Sequence, residues 1–276
     1  WRCYGARWSM TPFASLLSRA GVAAILFDGR GRGDSTGDPL TTTAADRVAD
    51  ARAAFACLAA REDVDAGRIG YLGESTGGWI APLAADGRDV RFLVHVVGPA
   101  EDVPSQQGHV VQGMMRRSGE EFSDEELAAA FAYQSDLCRH LAAGGTFDAF
   151  ADRIAAARAT RWGRFADTPD DFDVPGLQFL KHQSYDPTDA LRRLRAPLLA
   201  IFGGDDFVVP PELNVPKLEA LLAEAGVAFE VVVVDGANHD VYRAEPDSPW
   251  PFPRPPPSYH AKLVEWVRTH SGLAPE

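Results

Sequence analysis

Tyr71-Leu72-Gly73-Glu74-Ser75-Thr76-Gly77-Gly78-Trp79-Ile80-Ala81 is the stretch on which the reading of this chain turns. Residues Arg68 to Leu72 predict an apolar strand and Thr76 to Ala85 a helix. Between them, G-x-S-x-G sets a serine at the apex of a sharp strand-to-helix turn, the pattern of a nucleophile elbow. Gly73 and Gly77 leave room where a Cβ would clash. The helix start aims its free N–H groups at the serine, which favours negative charge developing there. An ordinary Gly-rich turn satisfies the same short pattern, so the flanking sequence has to decide.

The flanks supply an alternation. Phe13 to Ala20 has helical spacing and ends at Gly21. Val22 to Phe27 is a continuous apolar run, the mark of a parallel strand buried on both faces. Thr43 to Ala60 reads as a helix and Phe92 to Val97 as another buried strand. Helix and strand in turn imply a parallel sheet flanked by helices, with right-handed crossovers. The pattern breaks at Gly98-Pro99. From Glu101 to Arg195 only helices are predicted, at 110–117, 124–143, 147–158 and near 177–181. The sheet resumes at Pro197 to Phe202, followed by a helix from Glu212 to Ala225 and a strand from Phe229 to Val234. Pro246 to Pro257 reads as a rigid loop leading to a last helix, Ser258 to His270. The expected organisation is an α/β core of residues 1–100 and 196–276, with residues 101–195 inserted as a helical lid.

The 276 residues carry a net charge of −12, which argues against a nucleic-acid partner. No apolar run approaches the roughly 18 residues of a membrane span. Cys3, Cys57 and Cys138 are scattered, with neither metal-ligand spacing nor a disulfide framework. Reduced thiols and the absence of a signal-peptide pattern favour the cytoplasm, although a targeting segment ahead of Trp1 would lie outside this sequence. No metal or cofactor is expected. Arg32-Gly33-Asp34 is explained as turn chemistry in a Gly-rich loop. The acidic run Glu120, Glu121, Asp124, Glu125 and Glu126 suits a helix start, with a sharper reading as a patch for a cationic substrate.

A serine nucleophile needs a base to take its proton and an acid to orient that base. Both belong on loops past strand ends. After Ala200-Ile201-Phe202 comes Gly203-Gly204-Asp205-Asp206-Phe207-Val208-Val209-Pro210. After Val231 to Val234 comes Asp235-Gly236-Ala237-Asn238-His239-Asp240. Of seven histidines, only His239 follows a core strand end after the acid loop. Spacing alone leaves Asp205 and Asp206 both open, since adjacent side chains point different ways.

These residues resemble the α/β-hydrolase superfamily. Asp28 to Gly37 is similar to its D-x-R-G-x-G-x-S-x-G loop. Ile69 to Pro82 resembles the elbow of bacterial serine esterases related to the prolyl-oligopeptidase and serine-aminopeptidase groups. Phe202 to Pro210 resembles G-x-x-D-x-x-V-P, which aligns the acid with Asp206. Asn214 and Asn238-His239 resemble the "N…NH" ending of those esterases. The resemblance implies an α/β-hydrolase fold and a triad of Ser75, Asp206 and His239. It implies one oxyanion donor at the backbone of Thr76 and another at Gly5 or Ala6. It further implies hydrolysis of a small-molecule carboxylic ester, with peptide, amide or thioester cleavage as alternatives. Met114, Met115 and Phe122 in the lid would shape the pocket, as would Phe131 and Tyr133, and each equally suits the core of the lid. Two departures stand out. Glu74 precedes the serine where the nearest group often has His. The first strands of the fold have no counterpart before residue 11, which raises the alternative of an incomplete, non-catalytic homologue.

Overall fold

The computed structural model describes residues 6–243 and 254–273. Four strands form one parallel sheet in the order β1 (Tyr71–Glu74), β2 (Leu93–Val96), β3 (Leu198–Gly203), β4 (Phe229–Val234). Gly73, His95, Ala200 and Val231 lie side by side across it. Every residue of β2 and β3 is buried, as continuous apolar runs between two helical layers should be.

One face is covered by α1 (Ala6–Arg19) and α10 (Pro257–His270). There Phe13, Leu17, Leu263 and Trp266 pack with Val94, Val96, Leu199 and Ile201. The opposite face carries α3 (Gly77–Ala85), α8 (Thr188–Arg192) and α9 (Pro211–Ala225), whose Ala81, Leu191 and Leu218 pack with Leu93, Leu198 and Ala200. Helix α2 (Ala44–Ala59) lies against α3, and Arg52 donates to the carbonyls of Leu83, Ala84 and Asp86. Thr43 caps α2 in a reciprocal box with Asp46, satisfying two N–H groups that the helix start leaves open.

Between β2 and β3 stand α4 (Val103–Arg117), α5 (Asp124–Ala142), α6 (Ala151–Arg158), α7 (Pro175–His182) and α8. Helices α4 to α7 share an apolar cluster built on Met115, Leu137, Leu141, Phe150, Ile154 and Tyr185. Trp79 of α3 enters it, stacked on Tyr185 at 5.5 Å. Helix α4 begins well before the predicted residue 110. Asp102 accepts from the N–H of Ser105 at its start, and Pro104 occupies the first turn, signals that mark a helix start.

One predicted strand is corrected. Residues 22–27 are not paired into the sheet, and Ile25 and Phe27 remain 38% and 41% exposed. A strand needs a partner along its edge, and between this run and β1 lies a cavity of about 630 Å³. Most of the predicted proline-rich loop falls in 244–253, outside the described residues.

Candidate active site

The four parallel strands end on the same side, and the chemistry-bearing residues lie on the turns that follow. Ser75 comes directly after β1 with φ of 49°. Its N–H donates to Val96 O at 2.9 Å, and its carbonyl accepts from Gly78 N–H at 2.8 Å. A Cβ on Gly73 would overlap the carbonyl of Gly77, and one on Gly78 would overlap the Cα of Gly98. The elbow therefore closes through backbone-on-backbone contact that only glycine allows. Thr76 caps α3, and its N–H donates to no backbone group among the described residues.

Asp206 follows β3 and is 3% exposed. Its Oδ1 accepts from the N–H groups of Val208 and Val209 at 2.8 and 3.0 Å. Its Oδ2 lies 2.7 Å from Nδ1 of His239. Asp205 is exposed, and its N–H donates to Ala237 O at 2.8 Å. His239 Nε2 lies 2.9 Å from Ser75 Oγ. A carboxylate only accepts, so Nδ1 carries the ring proton and Nε2 is left to accept from the serine hydroxyl. Asn238 shapes the histidine turn, its Oδ1 accepting from the N–H groups of Asp240 and Tyr242 at 3.0 Å each.

Three non-glycine residues have positive φ among those described: Ser75, Val97 and Val241, at 49°, 48° and 55°. Ser75 and Val97 directly follow β1 and β2, and Val241 lies two residues past His239. Left-handed backbone at a valine is costly, and its gathering in one place is typical of functional centres.

Neighbouring groups set the surroundings. Burial pushes the Glu74 carboxyl above its usual range, the charge of Asp240 adds to this, and His239 opposes it. Buried Asn214 accepts from Ala100 N–H at 2.8 Å and donates to Pro210 O at 3.1 Å. It thereby ties the turn after β2 to the start of α9. Helix α4 grips the acid loop: Gln106 donates to Val208 O and Arg117 to Asp205 O. Arg117 also lies over the Phe207 ring at 5.1 Å. Nothing in the spacing of Gln106 and Arg117 announces this grip.

The expected pocket residues are placed differently. Met115 is fully buried in the apolar cluster that also holds Leu137 and Leu141 of α5, which suits the core of the helical block. Met114 and Phe122 pack partly buried against the same cluster, and Tyr133 belongs to it. Phe131 lies against His109, with ring centroids 4.7 Å apart and the planes tilted by 48°. Among the described residues none of them makes a hydrogen bond or ring contact to Ser75 or His239. Gly5 lies outside the described residues, and Ala6 opens α1. Among the described residues no group of three or more His, Cys, Asp or Glu gathers as a metal site, and no helix is long and apolar enough to cross a membrane.

A family model described as the alpha/beta hydrolase family matches residues 1–249. The chain belongs to the alpha/beta hydrolase family. A 31.7 kDa uncharacterised protein from the traX-finO intergenic region of Escherichia coli is 25% identical over 232 residues, covering 83% of this chain and 78% of that protein. The fold is shared with an esterase of Pyrococcus furiosus, at a TM-score of 0.56 and 16% identity over 96% of this chain and 77% of the other. An esterase from Exiguobacterium antarcticum gives 0.55 and 17%, over 96% and 88%. A bromoperoxidase from Bacillus anthracis gives 0.53 and 16%, over 97% and 88%. Family membership supports hydrolase activity.

Proposed function

We propose that this alpha/beta hydrolase cleaves small carboxylic esters through an acyl-enzyme on Ser75. The observation that carries the reading is the continuous hydrogen-bonded line from Ser75 Oγ through His239 to Asp206, at 2.9 and 2.7 Å. In this mechanism Nε2 of His239 takes the hydroxyl proton as Oγ bonds to the acyl carbon. The same proton then passes to the leaving alkoxide as the ester C–O bond breaks. Water adds to the acyl carbon, His239 takes its proton, and that proton returns to Oγ as the acid departs. Asp206 holds the ring in the tautomer this needs and stabilises the imidazolium. The N–H of Thr76 serves as one oxyanion donor, and Gly5 or Ala6 as the second. Loss of one such donor costs about 10²–10³ in kcat. Helices α4 to α7 act as the lid over the acyl or alcohol group, with Met114 and Phe122 on its partly buried edge.

Cleavage of a peptide or amide by reading a substrate amine would need a free acidic patch. Glu120 instead pairs with Arg164 and Arg161, and Glu126 lies 3.8 Å from Arg161. Two of the five carboxylates in that run, Glu120 and Glu126, are thus matched by arginine, which weakens the amide reading. The test is hydrolysis of p-nitrophenyl butyrate by wild type and Ser75→Ala, beside labelling by a fluorophosphonate. Turnover should fall by at least about 10⁴-fold in the variant, and only the wild type should be labelled. Equal turnover in the two proteins sinks the nucleophile. A folded, unlabelled wild type favours a non-catalytic homologue.

A further inference from the structure

Helix α4 runs along the acid loop in reverse order. Gln106 meets Val208, Gly113 meets Phe207 and Arg117 meets Asp205. These three positions share one face of the helix, because steps of seven and eleven residues are close to two and three turns. What each meets is a backbone carbonyl. Gln106 Nε2 and Arg117 donate to the carbonyls of Val208 and Asp205. Gly113 leaves room for the carbonyl of Phe207, since a Cβ there would stand 2.8 Å from that oxygen.

The other end of each of these peptides is engaged as well. A trans peptide is planar, so its C=O and N–H point opposite ways. The N–H opposite the Val208 carbonyl belongs to Val209, and it donates to Oδ1 of Asp206 at 3.0 Å. The N–H opposite the Phe207 carbonyl belongs to Val208, and it reaches the same oxygen at 2.8 Å. The N–H opposite the Asp205 carbonyl is that of Asp206 itself, donating to Gly203 O at the end of β3 at 3.2 Å. The line through Gln106 is continuous. It runs from Nε2 to the Val208 carbonyl, through that peptide to Oδ1 of Asp206, and from Oδ2 to Nδ1 of His239. A donor on a carbonyl polarises the N–H of the same peptide, and bonds in such a chain strengthen one another.

The side chain of Gln106 has no other recorded bond. It is 2% exposed, and its Oε1 has no hydrogen-bond partner among the described residues. A buried amide is costly unless it is bonded, and packing alone would be met by an apolar side chain of the same size. We propose that Gln106 and Arg117 are positioning residues of the proton relay: from the helical block they orient and polarise the peptides that hold Asp206, and through Asp206 they set the ring of His239. The proposal rests on the reading of Ser75, His239 and Asp206 given above.

Gln106→Met tests it by removing the donor at nearly constant volume. The control is Gln112→Met, which removes a bond of the same kind from the same helix, Nε2 to the carbonyl of Leu127 at 3.0 Å within the helical block. Three quantities are read: turnover of p-nitrophenyl butyrate, the rate of fluorophosphonate labelling, and the far-downfield NMR resonance of the His239 Nδ1 proton. In Gln106→Met, kcat and the labelling rate should fall about 10- to 100-fold with KM nearly unchanged, and the resonance should shift. Arg117→Gln, at an exposed position, should lose about threefold in the same two rates. Gln112→Met should match the wild type in all three. Equal losses in the two glutamine variants, or wild-type rates and resonance in Gln106→Met, overturn the proposal. If Gln106→Met does not fold, wild-type rates and resonance in Arg117→Gln overturn it instead. A wild type that resists the fluorophosphonate counts against the serine reading alone, and the resonance still decides the role of Gln106.

Discussion

Asp206 and His239 stand on turns after two six-residue strands paired with each other along their length, whereas Ser75 stands after a four-residue strand. On the first side hydrogen bonds do most of the positioning, with two N–H groups on Oδ1 of Asp206, the ring of His239 on Oδ2 and the Asn238 turn beneath, beside one close backbone approach of Gly203 to Asn238 O. On the second side the positioning comes from absent side chains, at Gly73 against Gly77 and Gly78 against Gly98. A hydrogen-bonded arrangement can lose one link and keep its shape. A steric one has no partial setting, because each contact is backbone on backbone and nothing can rotate out of the way.

The strongest way to break this contrast is Gly73→Ala. The added methyl overlaps the Gly77 carbonyl, and overpacking of this kind costs about 1–3 kcal/mol or more. Ester hydrolysis should fall to background and the melting temperature should drop together; a variant with wild-type kcat would refute the steric account. Next comes Asp206→Asn. The amide oxygen can still accept from Val208 and Val209, while the amide N–H faces Nδ1 of His239 and forces the wrong tautomer. We expect a loss of about 10⁴ in kcat with an unchanged melting curve, and a loss under tenfold would remove Asp206 from the relay.

The smallest effect concerns His95, on the strand both halves share. It is fully buried, neither ring nitrogen has a hydrogen-bond partner among the described residues, and burial pushes its pKa down to about 4 from 6.5. Between those values the unfolded chain holds a proton that the folded chain refuses. Stability therefore rises with pH across this window and is lost as pH falls from about 6.5 toward 4. Denaturant titrations of His95→Leu should show a flatter pH dependence there, by an amount on the order of 3 kcal/mol at the acid end. An identical profile in both proteins would mean that the ring is not kept neutral.

Much of this was legible because the site is made of punctuation. Gly73, Ser75 and Gly77, the aspartate pair after one apolar run and His239 after another are local signals, each tied to a strand end. The choice of Asp206 over Asp205 was not local. It depends on which carboxylate meets the N–H groups of Val208 and Val209, and only the resemblance supplied it. The run 22–27 shows the opposite limit: its composition announces a strand, but pairing belongs to whatever lies alongside. Met115 marks a third limit, because an apolar helix residue has the same spacing whether it faces a pocket or a neighbouring helix.

Helix α4 touches the acid loop at both ends, through Gln106 to Val208 and Arg117 to Asp205, and a Cβ on Gly113 between them would come within 2.8 Å of Phe207 O. That helix cannot swing while the loop stays still. If the helical block opens to admit or release a molecule, the anchor of the proton relay moves with it. Turnover would then be clocked by the return of α4, making the rate of a chemical step a readout of a mechanical one.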